Sequence, residues 1–292
     1  MKRIVKGGLI ATLSLFMFAT SINAEEPFYR NENNVEMNET QYSKLSKVFS
    51  EKKMSILTED EFEKYKDANI IDTETIYEKQ TYDNNGELVD NEEITEEEFN
   101  AARSDVKVNE SSSEPTRSSD SASYQTSYKR LSASILQIGS NFSFDATLDW
   151  KRVPATRSYD VFAYLTQNLS KTNFAGSQIY FTSAGSSTIS YNTSSAGYKS
   201  FSNGAGVSMN LKDGTNITDY ILAISSNMNK KTTNAIGRVY VSYQHAKVNL
   251  TRAQSKSYSL SLSGLGNVVY YSDSAIMNSY DGMSGVSLAV NI

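Results

Sequence analysis

His245 is the only imidazole in 292 residues, and there is no cysteine. A serine triad would need that ring as its base, with a nucleophile on a sharp turn, and no Gly-Xaa-Ser-Xaa-Gly pattern supplies one. In Val239–His245 the ring shares parity with Val241 and Tyr243, which reads as a structural or surface histidine. Without cysteine there is no disulfide, thiolate zinc site or cysteine nucleophile. Glycoside hydrolysis needs two carboxylates about 5–10 Å apart. After residue 120 the acids are Asp145, Asp149, Asp160, Asp213, Asp219, Asp273 and Asp281. Asp145 and Asp149 share one strand face with Cα atoms about 13 Å apart, too far for a pair, and are expected to solvate that face. Asp213, Asp273 and Asp281 adjoin Gly or Ser and read as turn residues, while Asp160 and Asp219 read as strand-end caps. A surface Ca²⁺ site at Asp213 or Asp281 has no ligand spacing behind it. Gly197, Gly204 and Gly206 precede no helix, so no phosphate loop is expected. The chemistry therefore points away from an enzyme, with no metal and no cofactor; a hydrolase using Asp145 and Asp160 is the alternative that keeps one.

The elements holding these groups are strands. In Asn141–Trp150, Phe142, Phe144, Ala146, Leu148 and Trp150 alternate with polar residues, the pattern of a half-buried strand carrying the only Trp. Leu131, Ala133 and Ile135 alternate before it, and the parity change at Leu136 and Ile138 reads as a bulge. Tyr159–Leu165 is apolar on both faces, as a central strand would be. Further runs follow at Val207–Leu211, Tyr220–Ile224, Val239–Leu250, Tyr258–Leu262, Val268–Tyr271 and Val286–Ile292, with Ile217–Met228 ambiguous. About ten strands at hairpin spacing predict an antiparallel β-sandwich, jelly-roll or immunoglobulin-like, over 125–292.

Ahead of it, residues 1–24 read as a cleavable export signal. Lys2, Arg3 and Lys6 precede the apolar run Leu9–Ala19, which is short for a span of about 20 residues, and Ile22-Asn23-Ala24 offers a cleavage site. The chain is therefore expected outside the cytoplasm. Glu25–Asp120 carries 26 acidic against 11 basic residues, and Ser121–Ile292 carries 7 against 14. Such asymmetry suggests a pro-segment or an electrostatic partner. Within the acidic part, Thr58-Glu59-Asp60-Glu61-Phe62 and Thr95-Glu96-Glu97-Glu98-Phe99 both predict capped helix starts, with Leu57 and Ile94 as hydrophobic staples. Tyr42, Leu45, Val48 and Phe49 predict a helix over 41–49. Glu74–Thr81 and Glu87–Asp90 flank a hairpin turn at Tyr82–Gly86 whose glycine comes too early for an EF-hand. The result is a small α+β module over 25–103. On its Thr-Glu-Xaa-Glu-Phe pattern and Phe49-Ser50-Glu51-Lys52, this module resembles acidic N-terminal segments of secreted Gram-positive bacterial proteins, a resemblance that implies no activity. Residues 104–124, rich in serine, predict a linker, with Arg103, Arg117, Lys129 and Arg130 in or beside it as protease targets.

What remains is binding. Tyr191, Tyr198, Phe201, Tyr270, Tyr271 and Tyr280 lie in loops rich in Ser, Asn and Gly, a composition suited to stacking on sugar rings. Lys129-Arg130, Lys151-Arg152 and Lys230-Lys231 form candidate basic doublets for an anionic cell-wall polymer or membrane surface. Nucleic acid is not expected, since no binding motif accompanies the charge. The first expectation is thus a secreted, non-enzymatic sandwich that binds a cell-surface polymer or carbohydrate, with its own acidic module as an intramolecular mask. The alternative is a membrane-active, pore-forming-like β-protein. Ile179, Phe181, Ile189 and Tyr191 share parity about Ala184–Ser187, against Gln178, Tyr180, Thr182, Thr188, Ser190 and Asn192 on the other face. Each arm spans only about 7 residues, short of the 9–11 of a membrane-crossing strand.

Overall fold

The computed structural model describes residues 28–83, 88–109, 125–151, 153–262 and 267–292. The predicted signal, the turn at Asn84-Asn85-Gly86, the stretch 110–124 and Arg152 lie outside the described residues.

The acidic half opens with a short hairpin, β1 (Phe28–Arg30) and β2 (Glu36–Asn38), followed by helices α1 (Glu39–Leu45), α2 (Glu51–Ser55) and α3 (Glu59–Tyr65). Asn38, Ser50 and Thr58 cap these helices, and Thr58 with Glu61 closes the predicted capping box. The helix expected over 41–49 breaks instead after Leu45, because Ser50 starts a new one. Next come β3 (Asn69–Tyr82), β4 (Leu88–Ile94) and α4 (Glu96–Asn109), whose start carries the second predicted box, Thr95 with Glu98. The helix thus runs six residues into the expected linker.

The sandwich follows: β5 (Gln125–Ile138), β6 (Asn141–Trp150), β7 (Tyr159–Gln167), β8 (Leu169–Lys171), β9 (Ala175–Thr182), β10 (Gly185–Asn192), β11 (Tyr198–Phe201), β12 (Gly204–Asn210), β13 (Ile217–Lys230) and β14 (Ile236–Ala246). The chain ends with α5 (Arg252–Ser255), β15 (Ser259–Leu260), β16 (Val269–Tyr270), α6 (Ser274–Met277), β17 (Tyr280–Gly282) and β18 (Val286–Asn291). One antiparallel sheet runs β10-β9-β13-β6-β5-β3-β4, with β8 on β13; the other runs β11-β12-β7-β14, with β17 and β18 both on β14. The acidic module is therefore not a separate body. Its β3 pairs with β5 from Asn69↔Gln137 to Tyr82↔Gln125 and extends the main sheet.

Between the sheets lies the core predicted from the parity of β6. Phe144 and Leu148 are fully buried, and Trp150 donates from Nε1 to Tyr243 Oη at 3.0 Å. Ile217–Met228 falls within β13, a central strand. The predicted bulge in β5 is absent: β5 pairs with β6 without a break, and the irregularity sits in β3 at Ile71. Leu136 and Ile138 are apolar for another reason. They face a second cluster, with Val48, Phe49, Leu57, Phe62 and Tyr65, beneath the N-terminal helices. The second sheet is likewise covered on its outside, where the C-terminal segment packs Tyr258, Tyr271 and Tyr280 on Val161 and Ala163.

Candidate functional site

The C-terminal cover removes most of the predicted stacking surface. Tyr271 and Tyr280 are buried and stack on each other at 4.9 Å, and Tyr280 donates to the Tyr159 carbonyl. Phe201 packs on Tyr258 and Tyr198 on Phe174, both half-buried; Tyr191, also half-buried, accepts from Gln178 Nε2. Tyr270 alone of the six is exposed. Tyr271 and Tyr280 are hydrophobic mass that covers the second sheet, and Tyr191 and Tyr198 pack against the core between the sheets; loop composition does not distinguish either role from a paratope.

The basic doublets do not form a surface patch either. Lys129 is fully buried, its Nζ over the rings of Trp150 and Tyr243. Burial, opposed by the nearby carboxylates of Glu78, Asp281 and Asp160, lowers its ammonium to about 8. Arg130 pairs with Asp149 at 3.1 Å, and Lys151 lies 3.9 Å from the Phe99 ring centre. Lys230 and Lys231 remain exposed.

The aspartates are also rearranged. Asp145 and Asp149 are buried beneath the module instead of solvating the sheet, and Tyr65 donates to Asp145. Burial raises the Asp145 carboxyl. Asp160 is no strand-end cap: it is buried within β7, accepting from Tyr243 Oη and the Ala246 amide, with His245 Nδ1 at 3.1 Å. The expected hydrolase pair fails on geometry. Asp145 projects from the outside of the first sheet, and Asp160 lies in the interior against Tyr243. Asp213 holds its turn through Arg157 and the Gly214 amide, and Asp273 caps α6. Asp219 pairs with Lys52.

A different feature survives this accounting. From Thr172 to Tyr198 the chain has no charged residue for 27 positions, with Lys171 and Lys199 at its ends, although 21% of the whole chain is charged. This interval contains the hairpin β9–β10. Among the described residues strand β10 is joined to β9 alone, as one edge of the first sheet, and six of its eight residues are exposed. Counting charge by half-chain averaged this gap away; a running count along the sequence reveals it.

The register of the hairpin departs from the expected one-sided pattern. Ile179 lies opposite Thr188, Phe181 opposite Ser186, Ile189 opposite Gln178 and Tyr191 opposite Gly176. Directly opposed residues share a face. Ile179 and Phe181 therefore point outward to Ile56 and Ile221, while Tyr180 and Tyr191 point inward to the core. The Gln178 side chain anchors the inner face, donating to Asn210 O at 2.9 Å and accepting from Lys212 N at 2.7 Å.

The N-terminal module clasps the outer face. Lys52 Nζ pairs with Asp219 and stands 4.1 Å from the Phe181 ring centre, and Ile56 packs on Ile179 and Ile221. Next to Lys52, a cleft of about 390 Å³ opens at the seam between module and sheet. Phe49, Tyr77, Phe99, Tyr128, Lys151 and Asp219 are among its walls. Charges of both signs meet across the seam: the module supplies Lys52 and Lys64 to aspartates of the sandwich, and its Glu78 lies across from Lys129.

No family model matches the chain, and no curated protein resembles it in sequence. Among solved structures, one titled "Pore forming protein" is similar at 10% identity over 61% of this chain and 83% of that one, with a TM-score of 0.22. Clostridium perfringens delta-toxin is similar at 8% identity over 40% and 73%, with a TM-score of 0.18.

Proposed function

We propose that this is an extracellular membrane-active β-protein whose hairpin, drawn from Thr172–Tyr198, enters a lipid bilayer. The observation that carries the reading is the charge-free interval placed on a free sheet edge. On either side of the Ser183-Ala184 turn it supplies arms of 11 and 14 residues, enough for the 9–11 that a spanning strand needs. The seven-residue arms expected above came from counting the alternating part alone. A strand lacking Asp, Glu, Lys and Arg avoids the cost of about 2–4 kcal/mol for a basic side chain at the bilayer midplane. Lys171 and Lys199 would lie at the interface, where their long stems reach water. The clasp by Lys52 and Ile56 would hold the hairpin against the sheet until contact with a target. The test is dye release from phosphatidylcholine–phosphatidylglycerol vesicles by the full chain. Release is expected; intact vesicles at micromolar protein sink the reading.

The seam cleft supports a second reading, recognition of a cell-surface glycan. Its volume lies in the usual range for ligand sites, and its aromatic rings beside charged side chains suit a sugar's apolar face and hydroxyls. Binding to cell-wall glycans that weakens on Tyr77→Ala or Tyr128→Ala is expected; unchanged binding in both variants removes the cleft from consideration.

A further inference from the structure

We infer that the hairpin changes register by one residue when it leaves the sandwich; this rests on the membrane-active reading. In the docked register its apolar side chains are divided between two faces, Ile179 and Phe181 on one, Ile189 and Tyr191 on the other. That division suits a strand buried on both sides, because Ile179 meets Ile56 and Tyr191 meets the core. It does not suit a bilayer, which touches one side only. Sliding β10 by one residue turns all its side chains to the other face. Ile179 then opposes Ile189, and Phe181 and Tyr191 join the same side. Gln178, Tyr180, Thr182, Ser186, Thr188, Ser190 and Asn192 gather opposite them. The slide converts a hairpin with two half-apolar faces into one that carries four of its five large apolar side chains on one face and, Tyr180 apart, polar ones on the other.

The turn is compatible with the slide. The docked arms close through Ser183-Ala184, and neither residue has a positive φ, whereas the two-residue turns that match strand twist require one. Moved by one, the loop becomes Ser183-Ala184-Gly185, with glycine in the third position, where three-residue hairpin loops take a left-handed residue. Gly185 already has φ +125°. The docked register is held by contacts outside the hairpin: the Gln178 bonds to Asn210 and Lys212, and Lys52 on Phe181. Once β9 leaves β13 those contacts are gone, and only the eight β9–β10 pairs resist sliding.

Since the chain has no cysteine, introduced pairs report the register directly. Ser177 and Ser190 oppose each other when docked and take opposite faces after the slide. Tyr180 and Thr188 are on opposite faces when docked and face each other afterwards. The oxidised S177C/S190C full chain is expected to release dye at least tenfold more slowly than the same protein after reduction. Y180C/T188C is expected to cross-link on vesicles and not in solution, read by mass spectrometry. A disulfide between the arms does not stop an unshifted hairpin from leaving, so equal release by oxidised and reduced S177C/S190C overturns the slide while leaving membrane activity standing. Should the Y180C/T188C variant fail to fold, the S177C/S190C comparison alone decides. If the cysteine-free parent releases no dye, the membrane-active reading fails and the slide with it.

Discussion

The first sheet ends in a hairpin at each edge, and the two are opposites. At one edge, β3–β4 is dense in acids: Asp72, Glu74, Glu78, Asp90, Glu92 and Glu93. At the other, β9–β10 has none. Charge on an edge strand discourages pairing with another chain. The acids of β3 have a second use. The carboxylates of Asp72, Glu74 and Glu78 accept the amides of Ala289, Ser287 and Ser284, on and just before β18, a strand whose only ladder partner among the described residues is β14. These charges tie β3 to the opposite sheet. The neutral hairpin is held by the ladder of β9 on β13, the Gln178 bonds, apolar contact and a lysine clasp, with no charge of its own among its anchors.

The largest contrast is expected from a single lysine placed on either hairpin. Ile189 is half-buried on β10 and Asn91 is exposed on β4, so Ile189→Lys should cost about 1 kcal/mol of folding stability and Asn91→Lys less than about 0.5 kcal/mol. In vesicle leakage they should separate. Ile189→Lys carries a charge onto the face turned to lipid and is expected to lower release by about thirtyfold or more, from a cost of about 2–4 kcal/mol. Asn91→Lys should release dye like the parent. Equal leakage by both would show that the neutral hairpin is not the element that enters.

How much of this was legible in the sequence depends on range. The helix caps at Thr58 and Thr95 and the burial of Phe144, Leu148 and Trp150 follow from residues within a few positions of one another, and they were readable. The pairing of β3 with β5 joins segments about 60 residues apart, and no local pattern specifies it. Leu136 and Ile138 looked like a bulge because a strand buried on both faces and a strand that changes face give similar parity. Tyr271 and Tyr280 resemble binding residues in the sequence because composition does not reveal that they fold back over Val161 and Ala163 of β7. Ile179 and Ile189 alternate as expected within each arm; the turn is the two residues Ser183-Ala184 instead of the expected four, Ala184–Ser187, and with an even number of turn residues the two apolar sets fall on opposite faces.

Stability should separate the hairpins next. Glu78→Ala removes a charge-assisted bond to Ser284 N and the carboxylate directly across from buried Lys129. A loss of about 3 kcal/mol in urea unfolding is expected. Glu92→Ala, which breaks an exposed pair with Lys79, should cost under about 1 kcal/mol. Costs of similar size would mean that the buried bonds of β3 do not anchor it.

The same buried lysine gives a pH signature. Its folded value, about 8, lies below the ordinary 10.5, so its contribution is present above about 10.5 and is lost as pH falls toward 8. Stability should therefore rise by about 2 kcal/mol between pH 8 and 10. The buried tyrosines act in the other direction. Burial holds Tyr164, Tyr243, Tyr258 and Tyr271 above their usual 10, so their contribution is whole below pH 10 and is lost above it. Urea midpoints should rise to a maximum near pH 10 and then fall, with the 295 nm tyrosinate signal of these residues appearing only on unfolding. A Lys129→Met variant should lack the rise.

The smallest effect tests the clasp. Lys52 is largely covered, and it holds two partners at once, Asp219 and the Phe181 ring. Lys79 on the acidic hairpin forms a more exposed pair with Glu92. Lys52→Ala should cost about 1 kcal/mol and Lys79→Ala a few tenths. The modest figure matters because it falls on one hairpin. With β10 bound to β9 alone, weakening the outer contact of β9 lowers the free energy of opening for that corner, while the rest of the sheet keeps its protection. Hydrogen exchange should accelerate about fivefold at amides of β9 and β10 in Lys52→Ala, with no change at β3 or β5, and vesicle leakage should begin sooner. Uniform acceleration across the sheet would mean that the hairpin opens only when the whole protein does.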